Sequence, residues 1–130
     1  MRLFKRKGKN IEYKVNTAEQ LNAIVTDFFG YKAKNIENIE EKEVRCILYD
    51  AFQFRCDVQD EHGRFGAAII AEGEGYTICD MLGKSPSLNS DVCEIEKSLQ
   101  IVDRYCRMRL PNKYLNAYEE AYEVKQVEPT

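Results

Sequence analysis

The chain has no tryptophan, a single histidine and only three prolines. It also lacks any apolar run near the roughly 18–20 residues that a membrane-spanning helix requires. The first basic residues are not followed by the apolar stretch of a secretory signal, so a soluble, cytoplasmic protein is expected. Missing too are a P-loop, G-x-G-x-x-G, G-x-S-x-G and H-E-x-x-H, the patterns that place phosphate cradles, nucleophile elbows and zinc ligands. A lone G-x-G, Gly73-Glu74-Gly75, joins two strand patterns and has no helix behind it, so it reads as a turn. No repeat, low-complexity tract or proline/glycine-rich linker divides the chain.

Five cysteines are present, Cys46, Cys56, Cys79, Cys93 and Cys106, an odd number without C-x-x-C spacing. That pattern suits free thiols in a reducing compartment better than a disulfide framework. With His62 as the only histidine, a Cys/His metal site would need several cysteines converging from separate elements. No metal and no cofactor are therefore expected.

What remains is the composition of a folded domain: 130 residues, 44% apolar and 32% charged. A chain of this size buries roughly two-thirds of the surface its unfolded form exposes, enough for one core without staples. The net charge of −3 conceals an asymmetry, because five of the 19 basic residues, Arg2, Lys5, Arg6, Lys7 and Lys9, lie in the first nine positions. The rest holds 14 Lys+Arg against 22 Asp+Glu, a balance of −8. Such a body is a poor nucleic-acid binder, since phosphate neutralisation needs the opposite sign. Contact with a membrane or RNA is open only to the basic tip. The expected organisation is a flexible basic tip over 1–10, one domain over 11–124 and a tail over 125–130.

Ile11, Tyr13 and Val15 alternate with charged residues, a short strand signal. Thr17 and Gln20 form a capping box before Leu21, Ile24, Val25 and Phe28, so a helix is expected over 17–29 with Gly30 at its end. Residues 31–42 are polar and read as a connection. From 43 to 59 the apolar residues Val44, Cys46, Leu48, Phe52, Phe54, Cys56 and Val58 all hold even positions, a one-sided β pattern interrupted at Asp50. Two arrangements keep that parity: a hairpin turning over 49–51, or one bent strand with a bulge at Asp50. A loop at 60–63 then places Val58 opposite Phe65, Cys56 opposite Ala67 and Phe54 opposite Ile69. A turn at Gly73-Glu74 would pair Ala71 with Tyr76 and Ile69 with Ile78.

Beyond 89–91 a long helix is expected to cross the sheet's core face, with Val92, Ile95, Leu99, Val102 and Cys106 at spacings of three and four. Pro111 ends it. A short final helix over 112–123 carries Tyr114, Tyr118 and Tyr122 at spacings of four. The fold class is α+β: an N-terminal helix, an antiparallel meander of three to four strands, a long C-terminal helix and a short last one.

Two surfaces stand out as partner-binding candidates. On the second sheet face the third and fourth strands offer Ala68, Ile70, Cys79 and Met81, beside Arg55 on the second strand. An apolar centre with a charged margin has the make-up of a protein interface. Alternatively, the first helix or the 31–42 connection covers that face. The second surface is the tyrosine stripe of the last helix, since tyrosine is enriched where proteins meet. The expected function is a non-catalytic, acidic cytosolic module that binds another protein or a second copy of itself, in the manner of a chaperone, adaptor or inhibitor. Two other readings are carried beside it: a small cysteine-dependent enzyme using Cys79 or Cys93, and a module tethered to membrane or RNA by its basic tip. Asp57 with Glu72 lacks the lysine a metal-dependent nuclease would place two residues later, where Glu74 stands. Arg104, Arg107, Arg109 and Lys113 suit the negative end of a helix as well as an acidic partner.

Overall fold

The computed structural model describes residues 14–59, 63–71, 73–83 and 88–127, with side chains to residue 122. The basic tip Arg2, Lys5, Arg6, Lys7 and Lys9, the strand residues Ile11 and Tyr13, and His62 and Glu72 lie outside the described residues.

The capping box forms at the start of α1 (Ala18–Phe29): Thr17 Oγ1 accepts the Gln20 N–H at 3.1 Å, and Gln20 Oε1 accepts the Asn16 N–H at 2.8 Å. Leu21, Ile24, Val25 and Phe29 point inward, so the buried stripe ends on Phe29, with Phe28 only half-buried. Gly30, at φ 57°, releases the chain from the helix as a residue without Cβ can.

The sheet has five antiparallel strands in sequential order: β1 (Ala33–Ile39), β2 (Glu43–Leu48), β3 (Phe52–Gln59), β4 (Arg64–Ala71) and β5 (Glu74–Thr77). The first is a correction. Residues 31–42 do not simply connect; after a single 3-10 turn over Gly30–Lys32 they supply an edge strand. A bulge between Lys34 and Glu37, with Asn35 at φ 55°, sets Ile36 and Ile39 out of step with the two-residue period by which a strand is recognised.

Between β2 and β3 the chain takes the hairpin, not the bent strand: Leu48 opposes Phe52 and Cys46 opposes Phe54. Tyr49 and Asp50, at φ 57° and 56°, turn the chain, and the Ala51 N–H closes onto the Leu48 carbonyl at 2.9 Å. Two positive φ values give this turn the twist that antiparallel strands prefer. The β3–β4 register is the expected one, with Val58, Cys56 and Phe54 facing Phe65, Ala67 and Ile69.

The last hairpin departs from expectation by two residues. Ala71 pairs with Glu74 and Ile69 with Tyr76, and Gly73 lies between the strands at φ 83°. The strand then stops at Thr77, and Ile78–Gly83 curls into 3-10 turns that bury Ile78 and Met81. Met81 is extended and Leu82 takes φ 54°, a kink between the two turns. Residues 88–91 take up the edge beside the start of β4: Phe65 donates to the Leu88 carbonyl at 2.7 Å, Ser90 to that of Gly63 at 2.8 Å, and Val15 to that of Ser90 at 2.8 Å.

Helix α2 (Val92–Arg109) turns Ile95, Leu99, Val102 and Cys106 into the core that α1 and the sheet share. Leu110 is extended, Pro111 breaks the chain direction, and α3 (Asn112–Val127) follows. At 16 residues α3 is nearly as long as α2, and it passes the expected end at 123. The even positions of β2 and β3 and the odd ones of β4 fill the core, where the Phe29 and Phe54 rings meet edge to face at 5.9 Å. No described helix is long and apolar enough to cross a membrane.

Candidate functional site

With both α1 and α2 on the core side, the opposite face of the sheet carries no described element. Neither α1 nor the 31–42 segment covers it: α1 packs against the buried face, and 33–39 extends the sheet sideways.

Cross-strand register sorts this open face into rows. One row runs Glu37, Arg45, Arg55, Ala68, Thr77 from β1 to β5. On one side of it lies Ile47, Gln53, Ile70, Gly75, and on the other Glu43, Asp57, Gly66. Because Gly66, Ala68 and Gly75 are small while their neighbours are long, the face is hollowed. A depression of about 350 Å³ is walled by Glu37, Arg45, Ile47, Gln53, Arg55 and Ile70, and one of about 230 Å³ by Glu43, Arg55, Asp57, Ala68 and Thr77. Arg55 lines both. Ile70 is 40% exposed; among the described residues it is one of two large apolar side chains that stand out in water, the other being Met108 on α2.

The charges on this face are unequally satisfied. Arg45 donates from Nε to Glu43 at 2.7 Å. Arg55, its direct cross-strand neighbour, makes no hydrogen bond or ion pair among the described residues. Asp57 is partly buried, and that burial, with the like charge of Glu43 directly opposite, pushes its carboxyl above the ordinary range while Arg55 pulls the other way. Gly66 leaves room for it: a Cβ there would stand 3.0 Å from Asp57 Oδ1.

The sequence-predicted residues are thus divided. Ala68, Ile70 and Arg55 come together. Cys79 and Met81 do not join them, because the strand expected to carry them ends at Thr77; Met81 is fully buried and Cys79 is exposed in the 3-10 turn. Ile47 and Glu37 were not among the expected residues. Ile47 is the one large aliphatic residue at an odd position between 43 and 59, a signal that would have revealed it; Glu37 was hidden by the unrecognised β1.

The tyrosine stripe of α3 is turned onto the chain's own body. Tyr114 donates to the Tyr49 carbonyl at 2.5 Å and Tyr118 to that of Tyr31 at 3.2 Å, while the Tyr122 ring stacks on Tyr31 at 5.5 Å. Lys34 lies 4.8 Å from the Tyr122 ring centre and pairs with Asp50. Of the basic group near the α2–α3 junction, Arg107 binds Glu119 and Tyr49, and Arg109 sits against the rings of Tyr76 and Tyr105 at 5.4 Å from each.

Cys93 is exposed in the first turn of α2, whereas Cys46, Cys56 and Cys106 are buried. Burial pushes the Cys46 and Cys106 thiols up to about 12 and that of Cys56 well above its usual value. Among the described residues no three His, Cys, Asp or Glu side chains gather in a way that would hold a metal ion. No protein-family model, curated protein or solved structure matches the chain.

Proposed function

We propose that this chain is a non-catalytic protein-binding module of the cytosol, chaperone-, adaptor- or inhibitor-like, whose working surface is the open face of the sheet. The observation that carries the reading is the exposed Ile70, which with Ile47 walls the larger depression, beside Ala68 in the smaller one and bordered by unevenly paired charges. An apolar centre in a polar rim is the make-up of protein interfaces. Free cysteines support a reducing compartment.

The test is a comparison of three baits, the natural chain, Ile70→Gln and Met108→Gln, in an extract of the native cell. Both variants change an exposed side chain, and both are expected to melt with the natural chain. A stoichiometric partner held by the natural chain and Met108→Gln but lost from Ile70→Gln supports the module. The same proteins on all three baits, or none on any, overturns it.

A further inference from the structure

The arrangement of charge on the open face points to the chemistry of the partner. Arg45 and Arg55 stand directly opposite one another on β2 and β3, an arrangement that like charges disfavour unless an anion lies between or beside them. Glu43 answers Arg45 at 2.7 Å. Glu37 is the neighbour of Arg45 on its far side, and Asp57 lies two residues along β3 from Arg55, facing Glu43 and Gly66 on the neighbouring strands. None of these three carboxylates bonds to Arg55, which stands at the centre of the sheet on its third strand.

The next row, one strand-pleat away, is Ile47, Gln53, Ile70: two aliphatic side chains around an amide. A guanidinium with unused donors beside an apolar shelf matches a carboxylate carried next to an aliphatic group. Arginine is suited to that task because its planar fork offers paired donors to a carboxylate.

We infer that the open face binds an acidic peptide segment, an Asp or Glu carboxylate seated on Arg55 and a neighbouring aliphatic side chain seated on Ile47 and Ile70. This rests on the reading of the face as a docking surface and adds the partner's chemistry to it. A small residue at Ala68 and none at Gly75 leave the approach to Arg55 and Ile70 open.

The experiment uses the full chain and a positional-scanning library of acetylated decapeptide amides, each pool fixing one residue and randomising the others. The blocked termini ensure that only side-chain carboxylates are read. Pools fixed as Asp or Glu are expected to be retained at least about fivefold above those fixed as Asn, Gln, Lys or Arg, with Leu and Ile pools also enriched. Arg55→Gln is expected to erase the acid preference and leave the aliphatic one, and Ile70→Gln to do the reverse. Raising salt is expected to weaken the natural chain and not Arg55→Gln.

If aliphatic pools alone are retained and Ile70→Gln abolishes them, the face docks a partner but the acidic inference is overturned. Retention indifferent to both substitutions, or no retained pool, overturns it as well. So does a dimer by light scattering that Ile70→Gln dissociates, for the occupant is then a second copy. Arg55→Lys separates charge from shape: it is expected to keep part of the acid preference, which a purely structural role for Arg55 would not produce.

Discussion

The hydroxyl of Tyr49, at the tip of the β2–β3 hairpin, donates to the carboxylate of Asp103 on α2 at 2.5 Å. The ring is fully buried, and its main-chain carbonyl accepts the Tyr114 hydroxyl of α3. Arg107 lies 3.3 Å from the same hydroxyl and 3.0 Å from Glu119, and Lys32 pairs with Asp103 at 3.9 Å. One residue in a positive-φ conformation thereby ties a turn to two helices.

Tyr49→Phe keeps the ring and removes only the hydroxyl, leaving Asp103 with Lys32 and Arg107 with Glu119. A hydrogen bond to a charged group contributes about 1.5–3 kcal/mol, so the variant is expected to lose about that much in urea unfolding. An unchanged midpoint would mean that Lys32 and Arg107 compensate fully.

The five thiols are expected to fall into two classes toward Ellman's reagent at pH 8. Cys79 and Cys93 are exposed and react first; Cys46, Cys56 and Cys106 wait for unfolding. Moving a thiol from 9.0 to about 12, as burial does for Cys46, leaves roughly a thousandfold less thiolate. A rapid phase of three or more equivalents would contradict the burial of the core cysteines.

Asp57 gives a pH signature with a definite sign. Its folded carboxyl lies above the ordinary 3.8, chiefly through burial. The folded chain therefore holds this proton more tightly than the unfolded one, and stability falls as pH rises from 3.8 through the folded value. Asp57→Asn is expected to melt higher than the natural chain at pH 7, with the gap closing below pH 3.8. A gap of opposite sign in calorimetry would show that the ionised carboxylate stabilises Arg55 more than its burial costs.

Glu40 is exposed and takes φ 59° in the link between β1 and β2. A side chain with a Cβ is disfavoured there and glycine is not. Glu40→Gly is expected to gain about 0.5–1 kcal/mol, read as a higher midpoint in urea at unchanged slope.

Where local chemistry decided the outcome, the amino-acid order was a good guide. The Thr17–Gln20 cap, the even-numbered apolar series from 43 to 59 and the stop at Pro111 each name their element through a short-range cause. The open face was half legible: Ala68, Ile70 and Arg55 follow from parity alone, since parity is fixed once one hairpin register is known. Cys79 and Met81 went astray because the strand stops at Thr77 and the chain curls and kinks at Met81 and Leu82, an ending that alternation does not announce. β1 was hidden by its bulge, which destroys the alternation that identifies a strand; only pairing with β2 reveals it, and pairing is a long-range property. The inward turn of the α3 tyrosines depends on the Tyr31 and Tyr49 carbonyls, which side-chain periodicity does not report.

The bulge between Lys34 and Glu37 has a meaning for traffic at the rim. A strand seeking to zip onto the outer side of β1 meets main-chain groups out of register halfway along, and on the opposite rim β5 offers only four residues. Backbone-to-backbone recruitment, which accepts almost any extended sequence and also drives ribbon-like stacking of copies, is discouraged on both sides. A visitor is left to land flat and be read side chain by side chain, so selectivity in this molecule resides in amino-acid identity and is open to dissection one substitution at a time.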